Sequence, residues 1–282
     1  MAGEWRVRDK EYRGGRIRTG DHSLPKRVRY QAALHPEHAD YGRIGRLMST
    51  TDDLAADAAR LAEGCDGLGL PLTPEALTRL ILLRDLLYEA NAVMNLTRVP
   101  VSGYVELHCL DSLLICQAVD MRRVRTVMDL GCGAGFPGIP LKIMWPHLRV
   151  VLVDSTLKKL RFAGDACGKL GLSGIRTVHG RAEERIGELV YRSDLVVARA
   201  VAPMARLVPW LAPYIKPGGR AVAYKGADIE GEMREAGPVI ARSSLELEAV
   251  VPATLPGSGI VRNLVALRRP VAPTGPGTRA RR

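Results

Sequence analysis

The sequence has no uninterrupted apolar stretch near the ~18 residues that a membrane-spanning helix requires. Its five cysteines are scattered and form no C-x-x-C pair, which argues against a disulfide framework and a zinc site. The close pair His35 and His38 lacks partner cysteines, so we expect no bound metal. The first thirty residues are rich in Arg, Lys, Gly and Asp and contain no apolar signal core. We therefore expect a cytoplasmic protein without a membrane anchor.

The excess positive charge lies at the two ends of the chain. Residues 1–50 carry 11 Lys and Arg against 6 acids, residues 262–282 carry six Arg and no acid, and residues 51–261 are balanced at 24 of each sign. Basic ends on a neutral body are typical of proteins that bind a polyphosphate, because each neutralised phosphate releases counterions. A solubilising role, or a translation start at Met48, would account for the ends equally well.

Local composition divides the chain into four parts. Residues 1–48 are polar and aperiodic and predict a disordered basic leader, and residues 270–282 predict a disordered basic tail. Residues 49–122 predict a helical portion with three helices, since Ser49–Thr51 and Thr73–Pro74–Glu75 are helix starts. A third helix is expected over about 103–120, with His108, Asp111 and Ser112 on one face.

Residues 123–269 alternate short apolar runs with amphipathic segments and predict an α/β domain. Runs at 127–130, 150–153, 175–178, 195–198 and 221–223 are separated by about twenty residues, as in a mostly parallel sheet with crossover helices. Two further runs, at 245–251 and 259–267, flank a Pro-Gly-Ser-Gly turn. They predict a C-terminal antiparallel hairpin at the sheet edge.

The segment Val127–Gly138 predicts a cofactor-binding loop. A strand runs into three alternating glycines, which let the backbone turn and approach a ligand, and Pro137 then begins a helix. The same residues satisfy the dinucleotide pattern G-x-G-x-x-G, so a nicotinamide cofactor is one interpretation.

Two residues favour S-adenosylmethionine over a dinucleotide. Asp129 places a carboxylate in the first strand, where it can orient the loop or attract an ammonium group. Pro137 offers no N–H at the position where a pyrophosphate requires donors. Asp154, at the end of the second strand, can accept from both ribose hydroxyls, although it could instead only cap the following helix.

Several motifs in order resemble the RsmG (GidB) family of ribosomal RNA methyltransferases. The similarity covers about residues 52–268 and is carried by these segments: Asn95–Thr97, His108–Leu113, Asp129–Leu141, Val153–Ser155, Gly180–Glu184, Ala198–Ala202 and Tyr224–Gly226. The resemblance implies a Rossmann-like methyltransferase fold with a helical N-terminal portion. It also implies S-adenosylmethionine as methyl donor and N7 of a guanine in the decoding-region loop of 16S rRNA as acceptor.

The resemblance further assigns cofactor contacts to Gly131, Phe136, Ala182, Glu183 and Arg199. From the residues themselves we add Gly133 and Asp154 to this set. Glu183 or its backbone could accept from the adenine amino group, although residues 181–185 could instead be only a solvated helix start.

Guanine chemistry makes a general base unnecessary, because N7 carries an in-plane lone pair and no proton. We therefore assign no proton-transfer residue. We interpret His108 and Asp111 as a buried, hydrogen-bonded support beneath the site, although their helical spacing would also suit an acid/base pair. An Asn-Pro-Pro-Tyr motif and a Pro-Cys pair are both missing after the fourth strand. Their absence argues against methylation of an exocyclic amine and against covalent attack on a pyrimidine.

Few aromatic residues are available to stack bases, since aromatics make up 5% of the chain and include only two Phe. We expect a structured 16S rRNA or an assembling small subunit as partner, read by shape and charge, and a monomeric enzyme. A nicotinamide-dependent oxidoreductase and a non-catalytic ribosome-binding protein remain alternatives. Deleting both basic ends should weaken RNA binding and lower its salt dependence.

Overall fold

A seven-stranded sheet occupies the centre of the computed structural model, which describes residues 51–271. The strands lie in the order β3-β2-β1-β4-β5-β7-β6, and β1 to β5 are parallel. Their bounds are Thr126–Leu130 (β1), Arg149–Asp154 (β2), Ile175–His179 (β3), Ser193–Arg199 (β4), Ile215–Lys225 (β5), Glu246–Thr254 (β6) and Val261–Arg268 (β7). The predicted α/β class and the parallel sheet are confirmed.

The C-terminal hairpin is also confirmed, because β7 runs antiparallel to both β5 and β6. The predicted leader, residues 1–48, and nearly all of the predicted tail, residues 270–282, lie outside the described residues. The division at residue 122 stays a prediction.

Within residues 51–271, six α-helices of seven or more residues flank the sheet: Thr51–Gly67 (α1), Pro74–Met94 (α2), Gly138–Met144 (α3), Leu157–Lys169 (α4), Met204–Leu211 (α5) and Glu230–Arg242 (α6). The start of α2 is as predicted, since Thr73 Oγ1 accepts from the Ala76 amide and Pro74 occupies the first turn. Every helix among the described residues is too short or too polar to span a bilayer.

The prediction of one regular third helix over 103–120 is wrong, because the segment is helical but changes its type twice. Val105–Leu110 is a π-helix, Asp111–Leu113 is α-helical and Leu114–Gln117 is a 3-10 turn, and we call this run the broken helix. Side-chain and backbone donors compete for one carbonyl there, because Ser112 Oγ and the Asp111 amide both donate to His108 O.

The fifth strand begins six residues earlier than the predicted run 221–223, at Ile215. Pro-Gly-Gly sequences such as 217–219 are typical of turns, yet Ile215 pairs with Ser193, and the register shifts between Ser193 and Leu195. The Gly218 and Gly219 backbone groups pair with Arg269, which keeps this segment in the sheet.

Alternating side chains of the strands build a core on each face of the sheet. Val127, Val197 and Tyr224 face α1 to α4 and the broken helix. Met128 and Val196 face α5 and α6. Because β2 and β4 lie on opposite sides of β1, a crevice opens at the carboxyl ends of these strands, where open α/β sheets bind ligands.

Candidate functional site

The glycine loop joins β1 to α3 at that crevice, and nearly all of its backbone N–H groups are used within the protein. The amides of residues 131 and 132 donate to Val153 O, those of 135 and 136 to Cys132 O, and that of Gly133 to Asp154 Oδ2. The Gly138 amide donates to Asp129 Oδ2, and Pro137 has no N–H. The loop therefore offers no free row of donors of the kind that binds a pyrophosphate.

Two glycines in this loop have conformations that a side chain would disturb. Gly131 has φ +76°, and a Cβ there would lie 2.6 Å from Val201. Gly133 has φ +57°, and a Cβ there would meet no protein atom within 4 Å. The first glycine permits close packing against the segment after β4, and the second leaves open space for a ligand.

All seven residues predicted as cofactor contacts line one cavity of about 490 Å³ beside the loop. They are Gly131, Gly133, Phe136, Asp154, Ala182, Glu183 and Arg199. A volume of this size is in the range of small-molecule and cofactor sites. We call it the loop cavity.

Asp154 uses both carboxylate oxygens inside the protein. Oδ2 accepts from the Gly133 amide at 2.8 Å, and Oδ1 accepts from the Thr156 amide at 2.7 Å. Thr156 is the N-cap residue of α4 and no side chain caps that helix, so the Oδ1 contact is a turn before the helix and the capping interpretation of Asp154 is wrong. The side chain lies at the cavity wall. Each carboxylate oxygen can accept a further hydrogen bond, so ribose hydroxyls are compatible with these contacts.

Residues 181–185 do not start a helix, contrary to one interpretation of the sequence. They form a turn that leads to a short 3-10 turn, Gly187–Leu189. The side chain of Glu183 is half exposed there, and its Oε1 lies 3.8 Å from Arg181 Nη1. Ala182 packs against the core and leaves room at the cavity wall.

Arg199 is the centre of a polar network behind the cavity. Its Nη1 donates to Asp111 Oδ2 and to Leu107 O, both at 2.9 Å, and its guanidinium carbon lies 5.9 Å from the centre of the Phe136 ring. The other oxygen of Asp111 accepts from Arg262 Nε at 2.9 Å. One buried carboxylate from the broken helix thus fixes two arginines from different strands.

His108 belongs to the same network and is neutral. Arg199 Nη2 lies 3.4 Å from Nδ1, and a guanidinium can only donate, so Nδ1 is the acceptor and Nε2–H faces Thr97 Oγ1 at 2.9 Å. Burial and the nearby Arg199 charge lower the pKa of His108 to about 3. The ring stacks on Phe136, with centres 4.4 Å apart. These contacts support the interpretation of His108 and Asp111 as a buried support.

Asp129 lies beneath the loop and is completely buried. Oδ2 accepts from the Gly138 amide at 2.7 Å, while Oδ1 has no hydrogen-bond partner. Burial raises the pKa of Asp129 to about 7, against the lowering effect of the Gly138 hydrogen bond. Asp129 does not line the loop cavity, so its contacts support loop orientation rather than a contact with an ammonium group.

A second cavity of about 650 Å³ adjoins the first, and we call it the acceptor-side cavity. His108, Arg199, Ala200 and Val201 line both cavities. A ligand in the loop cavity and a ligand in the acceptor-side cavity would therefore meet at the segment that follows β4. Two adjoining spaces of this kind suit a transfer reaction between two bound molecules.

Several wall residues were not singled out as site residues from the sequence. Thr97 and Trp210 line the loop cavity, and Glu232 and Arg262 line the acceptor-side cavity. Thr97 was included only as part of a motif. Arg262 was placed in the last predicted strand and counted only with the basic charge of residues 262–282, and its ion pair with Asp111, 151 residues away, leaves no local sequence signal.

The ammonium group of Lys225 is engaged by groups of the protein. It donates to Ala202 O at 2.6 Å and pairs with Glu232 at 2.5 Å, and the Lys225 side chain is 11% exposed. These contacts favour a structural role for Lys225 over contact with an RNA phosphate.

Comparison with known proteins agrees with this geometry. Residues 76–260 match the family GidB, described as rRNA small subunit methyltransferase G. The Ribosomal RNA small subunit methyltransferase G of Lachnoclostridium phytofermentans is 37% identical over 216 residues, which are 76% of this chain and 89% of that protein. The protein of the same name from Acetivibrio thermocellus is 36% identical over 212 residues, 74% of this chain and 87% of that one.

Among solved structures, TrmN from Thermus thermophilus covers 57% of this chain and 48% of its own, at 19% identity and a TM-score of 0.46. That similarity is too low to support an argument about the site. The family match and the relatives suffice: the chain belongs to the GidB family, the rRNA small subunit methyltransferases G.

Proposed function

We propose that this chain transfers the methyl group of S-adenosylmethionine to N7 of a guanine in the decoding-region loop of 16S rRNA. Its family makes it an S-adenosylmethionine-dependent rRNA methyltransferase. The observation that carries the proposal is the pair of adjoining cavities, which meet at Arg199, Ala200 and Val201. One cavity suits the methyl donor and the other suits the acceptor base.

The loop cavity fits S-adenosylmethionine better than a dinucleotide. The donor carries no phosphate, and the loop amides are already committed to carbonyl and carboxylate oxygens of the protein. Gly133 leaves open space at the wall. We assign the donor to the seven lining residues predicted from the sequence, with Asp154 at the ribose, Ala182 and Glu183 at the adenine and Arg199 near the methionine carboxylate.

The bound donor would supply an electrophilic methyl group, and the protein would have to position the acceptor. Guanine N7 attacks with a lone pair, and no proton leaves N7 during the step. Alignment of reacting atoms alone can lower a barrier by about 7–11 kcal/mol. His108 is poorly suited to act as a base, because both of its ring nitrogens are engaged and its pKa is lowered to about 3. We therefore assign no residue to proton transfer.

Methylation of ribosomal RNA by the purified chain tests the proposal. The chain is incubated with S-adenosylmethionine and small subunits from cells that lack it, and nucleosides from the digested 16S rRNA are separated by mass spectrometry. We expect 7-methylguanosine at one position. Arg199→Ala should lose most of this activity, because it removes the link between the two cavities, whereas Arg176→Ala, on the exposed edge strand β3, should keep it.

Two outcomes favour the alternatives. A thermal shift with NADH and none with S-adenosylmethionine would support an oxidoreductase. Binding to small subunits without methyl transfer would support a non-catalytic ribosome-binding protein. We propose that the reaction takes place in the cytoplasm and that the chain acts as a monomer.

A further inference from the structure

We propose that Glu232 recognises the Watson–Crick edge of the acceptor guanine and makes the enzyme specific for this base. The inference rests on the proposed function and adds to it a residue that selects the substrate. Glu232 lies on α6 and lines the acceptor-side cavity, and its side chain is 27% exposed.

Among the described residues, two carboxylates line this cavity, Asp111 and Glu232. They differ in the number of carboxylate oxygens that are still free to accept a hydrogen bond. Asp111 gives Oδ2 to Arg199 and Oδ1 to Arg262, so both of its oxygens serve the support network. Glu232 engages one oxygen only: Oε1 accepts from the Met204 amide at 2.6 Å and lies 2.5 Å from Lys225 Nζ. Among the described residues, Oε2 accepts no hydrogen bond.

The contacts of Oε1 fix the carboxylate against the segment that follows β4. Lys225, which pairs with Glu232, also donates to Ala202 O in that segment. Met204, whose amide donates to Oε1, is the first residue of α5, and α5 follows that segment directly. A carboxylate anchored on one side and free on the other is preorganised to accept hydrogen bonds without losing much side-chain entropy.

Guanine is the base whose Watson–Crick edge presents two neighbouring donors, N1–H and the N2 amino group. A carboxylate accepts from both, whereas adenine offers an acceptor at N1 and would repel it. Enzymes that act on an extruded base commonly read this edge. Attack by N7 also puts positive charge on the purine, so hydrogen bonds from N1–H and N2–H to a carboxylate strengthen as the methyl group is transferred.

Inosine provides the test, because it keeps N7, O6 and N1–H and lacks only the N2 amino group. Splint-ligated 16S rRNA with guanosine or inosine at the target position is reconstituted into small subunits. Initial methylation rates are then measured for the wild type and for Glu232→Gln. We expect the wild type to prefer guanosine about tenfold or more, as for one lost hydrogen bond to a charged group.

Glu232→Gln retains an acceptor for the Met204 amide but presents an amide donor toward the guanine. We expect its rate on guanosine to fall about 100-fold or more, as when a buried polar contact is left unpaired, and its preference for guanosine over inosine to disappear. Glu230→Gln, an exposed position on the same helix, should behave as wild type. Calorimetric binding of S-adenosylhomocysteine should be equal in all three proteins.

The outcomes separate this inference from the proposed function. If the wild type methylates guanosine and inosine equally, or if Glu232→Gln loses rate equally on both and keeps the preference, Glu232 does not read the base. Equal wild-type rates on the two RNAs refute the inference even if the variant folds poorly. If the wild type methylates neither RNA, the proposed function fails.

Discussion

Replacement of Asp129 by Asn should change how stability depends on pH. Burial raises the pKa of this carboxyl from 3.8 to about 7. A folded-state pKa above the unfolded value means that the folded protein holds the proton longer, so the stability of the wild type falls as pH rises between these two values. Asn cannot titrate, and its side-chain oxygen can still accept from the Gly138 amide.

The magnitude follows from linkage. Each pKa unit corresponds to ~1.36 kcal/mol, so raising the pH from about 5 to about 8 should cost the wild type roughly 2–3 kcal/mol through this one group. The Asn amide would place an unpaired donor where Oδ1 now lies, at a cost of about 1–3 kcal/mol at every pH. The absolute stabilities therefore partly cancel, and the informative quantity is the difference between the two pH slopes.

Urea unfolding of both proteins without S-adenosylmethionine, at several pH values between about 5 and 8, measures that difference. We expect the wild-type free energy of unfolding to fall with pH relative to that of Asp129→Asn, by roughly 2–3 kcal/mol over the range. Parallel slopes would show that Asp129 is ionised in the folded protein and would refute the argument from burial.

Three further predictions concern other parts of the site and its support. Gly131→Ala should destabilise the protein more than Gly171→Ala in thermal unfolding and should also weaken S-adenosylhomocysteine binding. Both glycines have positive φ, but only at Gly131 would an added Cβ meet a side chain. Equal effects of the two substitutions would contradict this prediction. Because its folded pKa is lowered from 6.5 to about 3, His108 should contribute stability above pH 6.5 that is lost as the pH falls toward 3. In urea unfolding, His108→Gln should reduce the loss of unfolding free energy between pH 6.5 and about 3. An unchanged loss would show that another group causes it. Asp57→Leu should lower the free energy of unfolding by about 3 kcal/mol, since it removes the buried partner of Arg84, and a change under about 1 kcal/mol would show that Arg84 does not need this partner.

The parts of the site that lie near one another in sequence could be predicted. The strand, the glycine loop and the helix start are contiguous, and parallel strands bring their carboxyl ends to one edge. Asp154, Ala182 and Arg199 therefore reach the loop cavity from three successive strand ends, as the sequence indicated. Their placement needed only the order of elements.

The acceptor-side cavity could not be predicted in the same way. Arg262 and Asp111 are 151 residues apart, and the sequence predicted a strand at Arg262 without any indication of its partner. Glu232 follows a loop whose length does not reveal which strand end it approaches. The irregular broken helix also escaped prediction, because periodicity identifies a helical face and says nothing about competition for the His108 carbonyl.

Calorimetric titration of the purified chain is the most direct test of the central claim, that the loop cavity holds S-adenosylmethionine. The account predicts one binding site for S-adenosylhomocysteine, the demethylated form of the donor, and loss of that site in Gly133→Val, whose side chain would extend into the open space beside the loop. NADH should produce no binding heat. Binding of NADH, or undiminished S-adenosylhomocysteine binding by Gly133→Val, would contradict the assignment of this cavity.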